Sequence, residues 1–417
     1  MKIDQDIIAR IYDLRKKLHG IPEASMHEFQ TKTVLMDFLK ENTELEVVDR
    51  GAWFYAVLKG GRSTEGFSVD VDNEDAPNNE NGVSRQSIAF RADMDAVCGQ
   101  DGKPGHYCGH DGHSSILCGA AMVLDRLMSH RNQWTDTRRA EDEHGLQCDA
   151  GRTEDELEIN LDRDIYFIFQ PGEEIGAGAK LCRELITEKN IREVYGLHNI
   201  PGYPKNHVLI ADGTFACAST GLEIHMTGTP SHAAYPEAGK NPGPALARLL
   251  LAVEQLTTRY NEEKGFVRMT LIGMEVGSAN YGVAASEGTL RMTVRAEREK
   301  IFAAYVDEIN RLAKKQADDG GFELDIQEIE RFPATENHAG NVDKLRKCAA
   351  DQNIVTTELP EPMRWSEDFG YYLQETDGAF FGVGDGETYA QLHTAGYEFP
   401  DEIVETAVKM FVGLALM

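Results

Sequence analysis

The stretch Asp164-Ile165-Tyr166-Phe167-Ile168-Phe169-Gln170-Pro171-Gly172-Glu173-Glu174 decides the fold. From Ile165 to Phe169 every side chain is apolar or aromatic, with no polar residue in alternation. A run of that length, closed by Pro-Gly, reads as a strand buried on both faces. Two carboxylates, Glu173 and Glu174, follow the turn directly. The pattern recurs elsewhere. Ser87-Ile88-Ala89-Phe90-Arg91-Ala92 runs into Asp93-Met94-Asp95, and Glu193-Val194-Tyr195-Gly196-Leu197 runs into His198. Helical segments separate these strands, one over 114–128 and one after Ala179-Lys180-Leu181. Upstream, Ile7, Ile8, Ile11, Leu14 and Leu18 share one helical face, and Asp4 stands where it could cap that helix. Strands interleaved with helices predict an α/β fold with a mostly parallel sheet covered on both faces. Ligands of such sheets bind past the carboxyl ends of the strands, where each of these strands delivers its polar cluster.

From about residue 214 to 333 the order changes. A strand at Gly221–Met226, a helix over 243–260, strands over 266–276 and 288–296, a helix over 299–317 and a strand over 322–330 spell βαββαβ, a ferredoxin-like unit. The α/β pattern resumes with a helix over 341–352 and closes with one over 401–417. The expected organisation is a discontinuous domain, 1–213 and 334–417, with 214–333 inserted into it. Residues 61–86 and 130–160 are polar, poor in large apolar side chains, and read as exposed insertions without chemistry.

Composition narrows the function classes. A chain of 417 residues exceeds one ordinary core, and 41% hydrophobic with 27% charged residues is the balance of a soluble protein. The net charge of −28 argues against nucleic acid or an anionic membrane as partner. No stretch approaches the ~18 apolar residues of a membrane span. The cysteines, 98, 108, 118, 148, 182, 217 and 348, are scattered singly, which suits a reducing compartment. Asp4 and Asp6, with no apolar run after them, do not read as a signal peptide, so a cytoplasmic location is expected.

The chemistry concentrates in Cys108-Gly109-His110-Asp111-Gly112-His113. A lone Cys-x-His is usually a buried thiol and a loop histidine. Here the pair opens a helix, whose N-terminus favours a thiolate, and Asp111 and His113 are at hand to orient ligands. Cys118, inside the apolar helix, reads as core. Glu173 and Glu174 diverge if the backbone is extended, so one can bind a metal while the other faces water as a base. His198 and His393 are weak signals singly. Together Cys108, His110, Glu174, His198 and His393 make five ligands, too many for one open catalytic zinc and suited to two ions sharing a bridge. Cys108 is the expected bridge, since a thiolate can touch both. Thiolate and imidazole favour Zn²⁺ or Co²⁺, and carboxylate tolerates Mn²⁺; Ni²⁺ is a further candidate.

These residues resemble the M20 metallopeptidase superfamily, specifically its amidohydrolase branch of N-acyl-amino-acid, hippurate and auxin-conjugate hydrolases. The resemblance runs from Leu18-His19, Pro22-Glu23 and Glu28 through Arg91-Ala92-Asp93-Met94-Asp95-Ala96, the Cys108–His113 and Gln170–Glu174 motifs and Gly196-Leu197-His198-Asn199. It continues in Gly228-Thr229-Pro230-Ser231-His232-Ala233-Ala234-Tyr235-Pro236, Ser366-Glu367-Asp368-Phe369 and Leu392-His393. It implies metal ligands at Cys108, His110, Glu174, His198 and His393, Glu173 as the base, and Asp95 as a carboxylate holding a ligand from behind. It further implies that 1–213 and 334–417 form the catalytic domain and that 214–333 is a lid through which a homodimer forms. His232 would stabilise the oxyanion across that dimer. One segment departs: where the family has Asn-Val-Ile-Pro, this chain has Gly282-Val283-Ala284-Ala285, with Asn280 two positions early and Arg295 retained in the next strand.

The expected activity is dinuclear, metal-dependent cleavage of the amide bond in N-acyl amino acids or similar small amides. A dipeptidase or carboxypeptidase would use the same site and differ only in its leaving group. A catalytically silent metal-binding or interaction protein should have lost the base or a ligand, and none is lost.

Overall fold

The structure, a computed structural model, describes residues 1–60, 87–99, 102–144, 161 and 163–417, with only the backbone over 130–144. The larger layer runs in chain order through α1 (Gln5–His19), α2 (Phe29–Asn42), β1 (Glu46–Asp49), β2 (Phe54–Leu58), β3 (Ser87–Asp93), α3 (His110–His144), β4 (Ile165–Gln170), β5 (Ile191–Pro201) and β6 (Val208–Ile210). A second unit follows: β7 (Ala218–Thr227), α4 (Gly243–Glu263), β8 (Val267–Val276), β9 (Glu287–Ala296), α5 (Glu299–Gly320) and β10 (Glu323–Phe332). The chain then returns with α6 (Ala339–Asp351), β11 (Thr356–Glu358), β12 (Asp377–Gly386) and α7 (Val404–Ala415).

The large sheet has the order β1-β2-β4-β3-β5-β12-β6-β11. Its four central strands, β4, β3, β5 and β12, are all parallel, and antiparallel strands flank them. The chain is therefore α/β with a mixed, mostly parallel sheet. Burial on both faces explains the unbroken apolar runs. Successive residues point to opposite faces, so Phe381 packs with Phe411 and Ile11 on one side while Phe380 packs with Phe215 and Phe369 on the other. The smaller sheet, β8-β9-β7-β10, is antiparallel throughout. Its inward residues, among them Leu222, Ile224, Leu290 and Met292, bury against Leu249, Val253, Tyr305 and Ile309 of α4 and α5. This is the βαββαβ order expected from the sequence. No described helix is long and apolar enough to cross a membrane.

Three local expectations are corrected. Helix α3 extends to His144, well past 128, so the first part of the expected insertion over 130–160 is helical. No Gly or Pro lies between Gly119 and Gly145 to stop it, and polar side chains do not by themselves end a helix. The rest of that insertion, 145–160, and the one over 61–86 lie outside the described residues. His198 does not follow its strand but lies within it, because β5 goes on pairing with β12 at His198–Gly382 and Asn199–Val383. Asp4 occupies the cap position of α1 without a side-chain cap bond; its carboxylate pairs with Arg126 at 3.1 Å instead.

Candidate metal centre

The carboxyl ends of the central strands carry the polar clusters into one place. Asp93 ends β3, with Asp95 just beyond; Gln170 ends β4, with Glu173 and Glu174 in the following turn; His198 lies near the end of β5. Cys108 and His110 arrive at the start of α3. The turn between them needs Gly109: its φ is +94°, and a Cβ there would lie 2.5 Å from Asn199 Oδ1. His393 comes from the loop after β12, anchored where its backbone N–H donates to Tyr107 O at 2.8 Å.

The five residues expected as ligands converge. Cys108 Sγ lies 3.3 Å from His198 Nε2 and 3.2 Å from His393 Nε2. Glu174 Oε1 lies 3.4 Å from His393 Nε2 and 3.7 Å from His110 Nε2. Glu173 Oε2 is 4.0 Å from His110 Nε2. Two groups of three donors with mutually close ligand atoms result, Cys108–His110–His198 and Cys108–Glu174–His393, and Cys108 belongs to both.

The hydrogen bonds behind these residues set which nitrogens are open. His110 Nδ1 lies 3.0 Å from Asp95 O and His198 Nδ1 lies 2.7 Å from Asn199 O. A carbonyl only accepts, so each Nδ1 carries its hydrogen and each Nε2 turns toward the cluster. His113 has no open nitrogen, being bonded to Asp93 Oδ1 at 2.7 Å and Asn199 Oδ1 at 2.6 Å. His110 Nε2 and Glu174 Oε1 are buried and have no hydrogen-bond partner among the described residues. Orphaned buried atoms of this kind are rare and cost about 1–3 kcal/mol each. Thiolate, imidazole and carboxylate donors around two orphans fit divalent cations.

Electrostatics agree. Burial works against a charge on His110, yet Asp93, Asp95 and Glu174 push its pKa up to about 10. Without a cation the ring keeps a second proton, with which a divalent ion would compete. The expectation that the helix start favours a Cys108 thiolate is corrected: burial, then Glu174 and Glu173, push the thiol well up. Only a cation in the cluster would make the thiolate favourable. Burial and the carboxylates of Glu367 and Glu174 likewise hold Glu173 well above the usual range.

Asp95 grips two elements. Its Oδ1 is 3.2 Å from His110 Nδ1, while its Oδ2 accepts from the backbone N–H of Glu174 at 3.0 Å and from Ser25 Oγ at 2.7 Å. Sequence reasoning assigned no role to Arg91, which is fully buried and donates to Gln170 Oε1, Asp93 Oδ2 and Asp368 Oδ1, each at 2.8 Å. Glu367 lies 3.0 Å from it. An arginine inside an otherwise apolar strand was the available signal. Cys118 is core, as expected. His232 is exposed on the two-residue strand Ser231–His232, where its Nδ1 accepts from Ala234 N at 3.0 Å. Among the described residues it makes no hydrogen bond or ring contact with the cluster. Asn280 Oδ1 accepts from Gly282 N at 3.1 Å, and Arg295 donates to Arg364 O at 3.1 Å and Ser366 Oγ at 2.9 Å.

A parallel-centred sheet gathers a buried carboxyl, Glu173, and metal-type donors at its carboxyl edge, an arrangement suited to metal-dependent hydrolysis. Residues 148–417 match Peptidase family M20/M25/M40, and the chain belongs to that family. It is 22% identical over 417 residues to the N-acetylcysteine deacetylase of Bacillus subtilis (strain 168), covering 99% of this chain and 98% of that one. Two solved structures share the fold. A proposed aminohydrolase from methicillin resistant Staphylococcus aureus superposes with a TM-score of 0.80 at 19% identity, covering 99% and 97% of the two chains. A Bacillus subtilis dinuclear metal binding peptidase from the M20 family gives 0.73 at 21% identity, covering 99% and 98%.

Proposed function

We propose that this protein is a dinuclear metal-dependent amidohydrolase that cleaves the amide bond of N-acyl amino acids or similar small amides. The observation that carries this reading is the pair of three-donor groups sharing Cys108, with Glu173 beside them. In this reading Cys108, His110, Glu174, His198 and His393 hold two divalent ions, with Zn²⁺ or Mn²⁺ preferred over Co²⁺ or Ni²⁺. Such ions, when bound, polarise a carbonyl oxygen and lower the pKa of water from about 15.7 toward about 7. Glu173 takes the proton of the attacking water and passes it to the leaving amine nitrogen. A carboxyl whose pKa is raised by burial suits a group that must hold that proton between two steps. Likeness to an N-acetylcysteine deacetylase supports an acylated amino acid as substrate.

Residues 214–333 act in this reading as a lid and dimerisation domain. Support comes from β8, an edge strand of the small sheet that leaves Leu271 and Ile272 exposed. His232, which among the described residues makes no hydrogen bond or ring contact with its own chain's cluster, would serve the partner's site. Six described cysteines are free, which supports a reducing, cytoplasmic setting. The test is Glu173→Gln, with wild type run on N-acetyl amino acids and dipeptides after loading with each metal. The variant should retain its metal while activity falls at least about a hundredfold. Metal loss would mean that the two glutamates are reversed, and a metal-loaded wild type inert on every amide would overturn the activity.

A further inference from the structure

We infer that Glu28 is a positioning residue for the Glu173–Glu174 pair, acting through the backbone of Gly172; this rests on the function proposed above. Glu28 is 3% exposed and, among the described residues, forms no ion pair. A buried carboxylate without a cation is costly and calls for a compensating use. Its position immediately before α2 suggests a cap, yet its side chain makes no cap bond. Glu23 does that work, accepting from Thr31 N at 2.8 Å and Gln30 N at 3.1 Å. Glu28 Oε1 instead accepts from Met26 N at 2.8 Å and, across 144 residues of sequence, from Gly172 N at 2.8 Å.

Gly172 is the hinge of the glutamate turn. Its φ is +57°, and a Cβ there would lie 2.7 Å from Met26 Sδ. Its carbonyl accepts from Ala177 N at 3.1 Å and Gly178 N at 3.2 Å, closing the turn around the two glutamates. On the far side of Glu173, the N–H of Glu174 is held by Asp95 Oδ2, the oxygen that also receives Ser25 Oγ. One short segment, Ser25 to Glu28, thus fixes the turn at both ends. The chain just ahead of it is tied down where Ala96 N donates to Glu23 O at 2.8 Å. Rotating the Gly172 peptide would swing both carboxylates, and misplacement by about 1 Å can cost about a hundredfold in rate.

The test compares Glu28→Ala, Glu28→Gln and Glu28→Asp. Zn²⁺ affinity is read by competition with a coloured chelator, and kcat and KM on an N-acetyl amino acid that wild type hydrolyses. Glu28→Ala should weaken Zn²⁺ binding about tenfold or more and lower kcat similarly, with KM little changed. Glu28→Gln keeps the accepting oxygen and should recover both to within about threefold. A merely structural role would lower thermal stability and leave Zn²⁺ affinity intact in the folded protein. Wild-type Zn²⁺ affinity and kcat in Glu28→Ala, or no recovery in Glu28→Gln, would overturn the inference. Should Glu28→Ala not fold, Glu28→Asp, which keeps the carboxylate but is one methylene too short to hold Gly172 N, decides: unchanged Zn²⁺ affinity overturns it and a measurable loss supports it. The Zn²⁺ titration stands even if no amide is hydrolysed, so failure of the proposed activity is read separately.

Discussion

Glu28→Gln should stabilise the metal-free protein in alkali and not in acid. Burial first, and the charge of Asp95 second, push the Glu28 carboxyl from its ordinary 4.5 up to about 7, against backbone donors that pull it down. The native state therefore binds this proton more tightly than the unfolded chain does. The stabilising contribution is complete below about 4.5 and is lost as pH rises through about 7. At 1.36 kcal/mol per pK unit, ionising Glu28 in place costs the native state about 3 kcal/mol by pH 8, most of it accruing above pH 5. With Glu28 3% exposed, solvent screening gives little discount. Glutamine presents the same carbonyl acceptor to Met26 and Gly172 without the titrating charge.

Urea unfolding in the presence of chelator, at intervals from pH 5 to 8, measures this. Trp53, Trp134 and Trp365 all lie outside 214–333, so tryptophan fluorescence follows the large-sheet unit and not the small one. The stability difference, variant minus wild type, should grow by roughly 2 kcal/mol across that range. A difference that stays flat with pH would refute the argument, showing that Glu28 is ionised in the native protein throughout.

The remaining expectations concern the donors and the lid. Cys108→Ser should sharply lower metal content measured by elemental analysis, because a hydroxyl is a much poorer ligand than a thiolate; Cys118→Ser should leave metal content unchanged and alter only stability. Mixing inactive His232→Ala subunits with inactive Glu173→Gln subunits should restore activity, since one site of the mixed dimer then holds an intact Glu173 and its neighbour's His232. No recovery after demonstrated subunit exchange would place His232 in its own chain's site or in none.

What could be read in the sequence follows from periodicity and position. Strands buried on both faces write themselves as largely apolar runs, so Ile165–Phe169 was recognisable without any partner, and Ser87–Ala92 was too despite Arg91. Polar clusters that directly follow such strands share a fate fixed by the fold, which is why Asp93–Asp95 and Glu173–Glu174 could be grouped. Features that depend on a distant partner were not readable. Arg91 looks like any polar interruption until Asp368, 277 residues on, comes to meet it. Glu28 looks like a helix cap because its partner is a backbone N–H, which has no side-chain signature. The continuation of α3 to His144 was hidden for the opposite reason: its polar residues carry no apolar stripe, and only the lack of Gly and Pro spoke for a helix.

The departure at Gly282–Ala285 gains meaning from the backbone. Ser231 and His232 pair with Ala284 and Val283, so the segment that differs from the expected Asn-Val-Ile-Pro and the histidine that the resemblance assigns to the oxyanion form one two-stranded antiparallel ladder. Asn280 lies beside it, but its side-chain oxygen is committed to the N–H of Gly282, so it closes its own turn. The cluster at the sheet edge keeps every donor the resemblance implies. The two-stranded ladder keeps the histidine and changes its supporting strand. Within the proposed function, this separates two kinds of change: substitutions at the sheet edge act on metal and proton transfer, whereas those at 282–285 act on which substrate His232 meets.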